Sequence, residues 1–328
     1  MDTLFRKSAF PVIIALAACG AFAATAAQPA AHAAAPAQLM IPGEKVYPES
    51  ITAAADGRVF IGSITKRQIF MVKPGAATAD AWTAADNDTT LGVYGVFAND
   101  RSHTLWACFS SFPGSHGSPH AASALNAYDL QSGRLKGRYP LPTHGAFCND
   151  IAAGKDGTVY VSDTNNMEID RLRSGDGRLQ VWAGNGGFGP KGGVLDGISV
   201  ITNRLFVNTL VTNKVFAVPI TADGSAGAVA EVTLNRKIEA PDGMRSFGST
   251  LLLVESGGVG RLARLDVDGN SGTLTTLKEG FPDGPVSVAV VGTTGYVLEG
   301  QLKALFGPPD PNPVAKPFHA TAVELGKP

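Results

Sequence analysis

FCNDIAAGKDGTVYVSD, running from Phe147 to Asp163, reads as a β-hairpin. Ile151 to Ala153 is apolar, Lys155-Asp156-Gly157 supplies a turn, and Thr158-Val159-Tyr160-Val161 is rich in β-formers. The polar pair Asn149-Asp150 heads the first strand, as turn chemistry or as part of a site. The second strand of this hairpin recurs: GRVFIGS from Gly57, HTLWACFS from His103, NRLFVNT from Asn203, STLLLVES from Ser249 and TGYVLEG from Thr294. With Phe60, Trp106, Tyr160, Phe206, Leu252 and Tyr296 equivalent, the spacings are 46, 54, 46, 46 and 44 residues, the period of propeller blades.

RQIFMVK, SALNAYDL, EIDRLR, KVFAVPI and RLARLDV follow as third strands, and RLQVWAG from Arg178 and TLTTLKEG from Thr273 as fourth strands. The repeat therefore predicts an all-β fold, a six-bladed β-propeller of four-stranded antiparallel blades, each burying its apolar face on its neighbours. The Gly-His and Trp-Asp pairing of WD40 repeats is absent. The last blade ends on HATAVEL near Glu324 with no fourth strand after it. Gln38-Leu39-Met40-Ile41 is expected to supply that strand and close the ring, in one domain spanning 38–328.

Composition agrees. Charged residues make up 17% of the 328-residue chain, against roughly 25% in an average soluble protein, and glycine is frequent at 39. A formal charge of -1 gives no electrostatic reason to expect a nucleic-acid partner.

The N-terminus reads as a targeting signal over 1–27. Arg6 and Lys7 form a basic region, and the apolar stretch Ala9 to Ala18 is too short to span a bilayer. Leu16-Ala17-Ala18-Cys19 resembles a lipoprotein box that would leave Cys19 lipid-anchored, whereas Ala24-Thr25-Ala26 suits ordinary signal peptidase. Either exit places the mature protein in the periplasm or outside the cell. Residues 28–37 read as an Ala/Pro tether. Cys108 and Cys148 remain in the body. They stand at neighbouring strand ends, as a disulfide in an oxidising compartment or as two buried thiols.

In a propeller the innermost strand of each blade starts at the mouth of the central channel. One strand-length before the aligned aromatics stand Glu49 and Asn149, eleven residues before Phe60 and Tyr160, and Asp196 and Asp242, ten before Phe206 and Leu252. Asp-Gly turns at Asp56 and Asp156 account for the extra residue. Blades two and six offer Tyr94 or Gly95 and Pro285, which carry no carboxylate. Taken singly, Asp196-Gly197 and Pro241-Asp242-Gly243 are also turn signals. Their common phase favours a site. Three carboxylates and an amide suit a hard divalent cation, and without one the carboxylates would raise one another's pKa.

This ordered set resembles the senescence marker protein/gluconolactonase family of six-bladed propellers, with diisopropyl-fluorophosphatase and the paraoxonases more distant. The resemblance covers nearly all of the chain after the tether. It implies one divalent cation, usually calcium with magnesium, manganese or zinc as alternatives, held by Glu49, Asn149, Asp196 and Asp242. Two positions depart from the family pattern: the first motif is Pro-Glu-Ser, and Asp196 stands where Asn is usual.

The resemblance further implies hydrolysis of a lactone or related ester by a monomer acting on a small molecule. Asp242 would be general base or nucleophile, and Asn149 would hold both metal and substrate oxygen. Loops joining second to third strands open on the metal face. They offer His116 and His120 in SSFPGSHGSPHAAS, Lys66, Arg67, Asn165 and Asn213 as substrate contacts, with His144 on the loop before Asn149. GQLKALFGPPDPNPVAK, after Glu299, is long enough to lid the channel. A non-catalytic binding propeller with a structural cation would carry the same ligands. A strictosidine-synthase-like propeller, which uses a carboxylate without a catalytic metal, fits the four-oxygen set less well.

Overall fold

The computed structural model describes Met1 and residues 35–86, 90–112, 123–308 and 316–327. The signal region, Cys19, most of the tether, His116 and His120 lie outside them. No helix among the described residues is long and apolar enough to cross a membrane.

The body, Ala34–Pro328, is a ring of six antiparallel sheets. The innermost strands are Pro48–Ala53, Leu91–Asn99, Cys148–Ala153, Leu195–Ile201, Pro241–Phe247 and Pro285–Val291, each packed on its two neighbours around a central channel. The second strands are Val59–Ser63, Thr104–Ser111, Val159–Asp163, Arg204–Thr209, Thr250–Glu255 and Thr294–Glu299. Blade six ends on Phe318–Glu324, and Gln38–Ile41 pairs with it antiparallel, Gln38 opposite Thr321. The closure expected from the sequence is present. It begins slightly earlier than the expected tether boundary, because Pro36 O accepts from the Tyr296 hydroxyl and Ala37 O from Ala322 N–H.

Blade five departs from the four-strand expectation. Thr233–Leu234, just past the outer strand of blade four, adds in parallel to Ser271–Glu279 and makes that sheet five-stranded. The alternating strand pattern sends apolar side chains to both faces of every blade, because both faces are covered. Six buried clusters result, one at each blade interface. Ile51, Ile61 and Phe70 meet Tyr296 and Leu298 between blades one and six, and Phe206 and Val215 meet Met244 and Leu253 between blades four and five.

Every innermost strand is broken by a β-bulge near the mouth, where the register shifts between Pro48 and Ser50, Val93 and Val96, Cys148 and Ile151, Leu195 and Ile198, Pro241 and Met244, and Pro285 and Ser287. A bulge re-aims a side chain. The first bulged residues are Glu49, Tyr94, Asn149, Asp196, Asp242 and Val286, one per blade. Asp196-Gly197 and Asp242-Gly243 are thus strand bulges rather than turns. In blade six the equivalent residue is Val286, not Pro285.

Below the bulges the channel is spanned by Arg245. Its Nη1 donates to Asp150 Oδ2 (2.7 Å) and Met244 O, and its Nη2 to Ser50 Oγ (3.1 Å) and Val96 O (3.4 Å). Asp150 Oδ2 also accepts Ile198 N–H. One buried ion pair therefore ties blades one to five together across the axis.

Candidate functional site

The six bulged side chains form the floor of a mouth-side cavity of about 680 Å³. Backbone geometry sets them there. Two residues before the bulge, Tyr47, Val194, Ala240 and Gly284 hold positive φ in blades one, four, five and six. For a β-branched residue such as Val194 this conformation is strained, and such strain collects at functional sites.

In blades two, three and four the second-strand residue facing the bulge fastens the next blade. Cys108 forms a disulfide with Cys148, with Cα atoms 5.1 Å apart. Ser162 Oγ donates to Asp196 O (2.8 Å), and Asn208 Nδ2 to Asp242 O (2.6 Å). Of the two cysteine states open from the sequence, the disulfide is the one present. It anchors the residue next to Asn149.

Glu49, Asp196 and Asp242 each offer an oxygen within 4.8 Å of the others. With Asn149 they are only 5–8% exposed. Burial first, then Asp196 and Asp150, pushes the Glu49 carboxyl well above the usual range, with Arg245 opposing. Burial, then Asp196 and Glu49, does the same to Asp242 against one hydrogen bond from Gly243 N–H. Asp196 is raised to about 7 by burial and Asp150, while a hydrogen bond from Asn149 works the other way. Arg245, the nearest guanidinium, is already committed to Asp150.

A divalent cation fits this donor set. Asn149 Nδ2 donates to Thr164 Oγ1 (3.1 Å), which turns the amide so that its Oδ1 is buried with no hydrogen-bond partner. A residue with an unpartnered amide oxygen, lining the same cavity as three mutually repelling carboxylates, completes a set of oxygen donors suited to a hard cation.

Apart from Tyr94, read at the channel-facing position of blade two, and the insert after Glu299, the walls were not legible as site residues from the sequence. Tyr94 and Phe147 meet edge to face at 4.7 Å, and Val194, Leu210, Pro282 and Leu302 continue the apolar lining. The insert after Glu299 forms a short helix, Lys303–Phe306, whose Lys303, Ala304 and Phe306 also line the cavity. Residues 309–315 of that insert lie outside the described ones. Lys66, Arg67, Asn165, Asn213 and His144 stand on mouth-side loops but do not line the cavity. Three serve loop geometry instead. Arg67 Nε donates to Asp86 O, Asn165 Nδ2 to Gly145 O, and Asn213 Oδ1 accepts Ala240 N–H.

No protein-family model matches the chain, and no curated protein does. Solved structures do. The major Malassezia sympodialis allergen Mala s 1 superposes with a TM-score of 0.68 at 16% identity, over 89% of this chain and 97% of its own. A gluconolactonase from Xanthomonas campestris gives 0.60 at 15% identity, over 87% and 89%. A luciferin-regenerating enzyme gives 0.62 at 12% identity, over 87% and 95%. The gluconolactonase among these neighbours agrees with the resemblance read from the strand-head motifs. At such identities it is the fold that is shared: the chain is a six-bladed β-propeller of the architecture found in that gluconolactonase.

Proposed function

We propose that the protein is a divalent-metal-dependent hydrolase of a lactone or related ester, with calcium held by Glu49, Asn149, Asp196 and Asp242. The observation that carries this reading is the placement of three carboxylates, with Asn149 and its unpartnered Oδ1 beside them in sequence phase, on residues that floor an open cavity. A closed structural site would leave no such room for a substrate. When bound, the cation would polarise the ester carbonyl and favour the developing oxyanion.

The remaining work falls to side chains. Asp242 is oriented by Gly243 N–H on Oδ1 (3.0 Å), which leaves Oδ2 for a water proton. Water oxygen bonds to the acyl carbon, Asp242 takes the proton, and the acyl C–O bond breaks. The same proton then passes to the departing alkoxide, so the carboxylate is regenerated. Direct attack by Asp242 is the nucleophilic variant of this scheme. Thr164 and the disulfide hold Asn149 in place. The buried Cys108–Cys148 bridge also supports an oxidising compartment, and we place the protein in the periplasm or outside the cell.

The test is a panel of lactones and esters assayed after chelation and after add-back of calcium, magnesium, manganese or zinc. Asp196→Asn should weaken metal affinity yet retain turnover at saturating metal, whereas Asp242→Asn should abolish turnover there. Equal loss of maximal rate in both variants would overturn the assigned roles. Metal binding with no turnover on any substrate would leave a binding module.

A further inference from the structure

We propose that the substrate carries an open-chain apolar substituent on its lactone or ester, and that a polyhydroxylated sugar lactone is a poor ligand. This rests on the hydrolase reading for its reactive group. The apolar part rests on the walls alone.

Above the acidic floor the cavity presents Tyr94, Phe147, Val194, Leu210, Leu302 and Phe306. The polar groups among them are already engaged. The Tyr94 hydroxyl donates to Ser111 O (3.0 Å), so the residue shows the cavity its ring. Thr164 Oγ1 donates to Leu195 O (2.6 Å), and Ser256 Oγ to Ala240 O (3.0 Å). Gln301 Nε2 donates to Pro317 O (3.2 Å), and Lys316 is paired with Asp283. No arginine lines the cavity, and Lys303 is the one lining cation outside an ion pair among the described residues.

A sugar lactone entering here would strip water from several hydroxyls and find few partners for them among the described lining residues, which costs affinity. An alkyl chain meets no such penalty, and each buried methylene favours binding by roughly fourfold. The rim continues the pattern. Val211, Val259 and Phe306 are 59%, 53% and 47% exposed. They stand on the second-to-third-strand connections of blades four, five and six, an arc of three successive blades around the mouth.

The experiment uses calcium-supplied protein and γ-lactams with alkyl tails of increasing length, read by calorimetry. Lactams are chosen because they mimic the ring without turning over. Affinity should rise roughly fourfold per methylene until the tail reaches solvent. Leu210→Asn and the surface variant Phe306→Ser should flatten that slope. The corresponding lactones and glucono-δ-lactone are assayed for turnover in parallel. A slope of zero, no lactam binding, or preferential turnover of glucono-δ-lactone would overturn the inference, the last while leaving the hydrolase reading intact. Tail-dependent lactam binding without turnover of any lactone would uphold the apolar site and sink the hydrolase reading instead.

Discussion

Asp170, on the third strand of blade three, is fully buried, and neither carboxylate oxygen has a hydrogen-bond partner among the described residues. Burial, followed by the Asp163 and Glu168 carboxylates, pushes it up to about 8. The folded state therefore keeps a proton that the unfolded chain releases near its ordinary pKa of about 4. Stability must fall as pH rises between those two values and level off above. Asp170→Asn should remove this dependence, so its melting temperature should exceed the parent's by a margin that grows from pH 4 to pH 8. A pH-independent difference between the two would refute the assignment. The proposed metal ligands obey the same logic in the opposite sense for binding. Burial and mutual repulsion favour protons on Glu49, Asp196 and Asp242, and these must leave before a cation enters, so calcium binding should release protons. Titration calorimetry in buffers of different ionisation enthalpy measures this directly, and affinity should increase from pH 6 to 8.

The bulged innermost strand is the element on which the site depends. A glycine follows the bulged residue in blades two, four and five because the next blade's backbone presses against it. A Cβ on Gly243 would lie 2.7 Å from Val286 O, and one on Gly197 would meet Asp242 O and lie 2.6 Å from Met244 N. These obstacles are backbone and cannot swing aside. Gly197→Ala should therefore destabilise by about 1–3 kcal/mol and lower calcium affinity together, since Asp242 is displaced. Gly177→Ala is the control: nothing lies within 4 Å of its Cβ, and its effect on chemical denaturation should be small. In blade three the position belongs to Asp150, which turns inward to meet Arg245. The hairpin repeat, the strand order and the common ring level of Glu49, Asn149, Asp196 and Asp242 were all readable in the sequence. The bulges were not, since Asp-Gly and Pro-Asp-Gly carry the same local signal in a turn as in a strand.

Across the whole molecule the ring closes twice, once at its edge and once through its axis. Gln38–Ile41 zips blade six to the start of the chain, and the Arg245–Asp150 pair links blades one to five. Removing one member of a buried pair leaves the other uncompensated, at a cost of about 3–5 kcal/mol. Arg245→Met should lower unfolding stability by about that amount, and Arg245→Met with Asp150→Asn should recover much of it. Urea denaturation of both variants decides this, and an equal loss in the double variant would show that the pair is not coupled. Calcium should add to stability in the parent by mass action, since only the folded ring assembles the four proposed ligands.

The sequence by itself determined the six-fold repeat, the closure by the N-terminal strand, and the residues facing the channel at one level. All of these follow from period and phase, which local β-alternation carries along the chain. Tertiary structure alone decided the rest. It joined Cys108 to Cys148, seated Arg245 between Asp150 and Ser50, and lined the cavity with Phe147, Val194 and Leu210 while holding Lys66, Arg67 and Asn165 away from it. The physical reason is range. A strand's phase is written in its own residues, whereas a channel wall is assembled from side chains dozens to more than two hundred residues apart, and no spacing rule records which of them the blades will bring face to face.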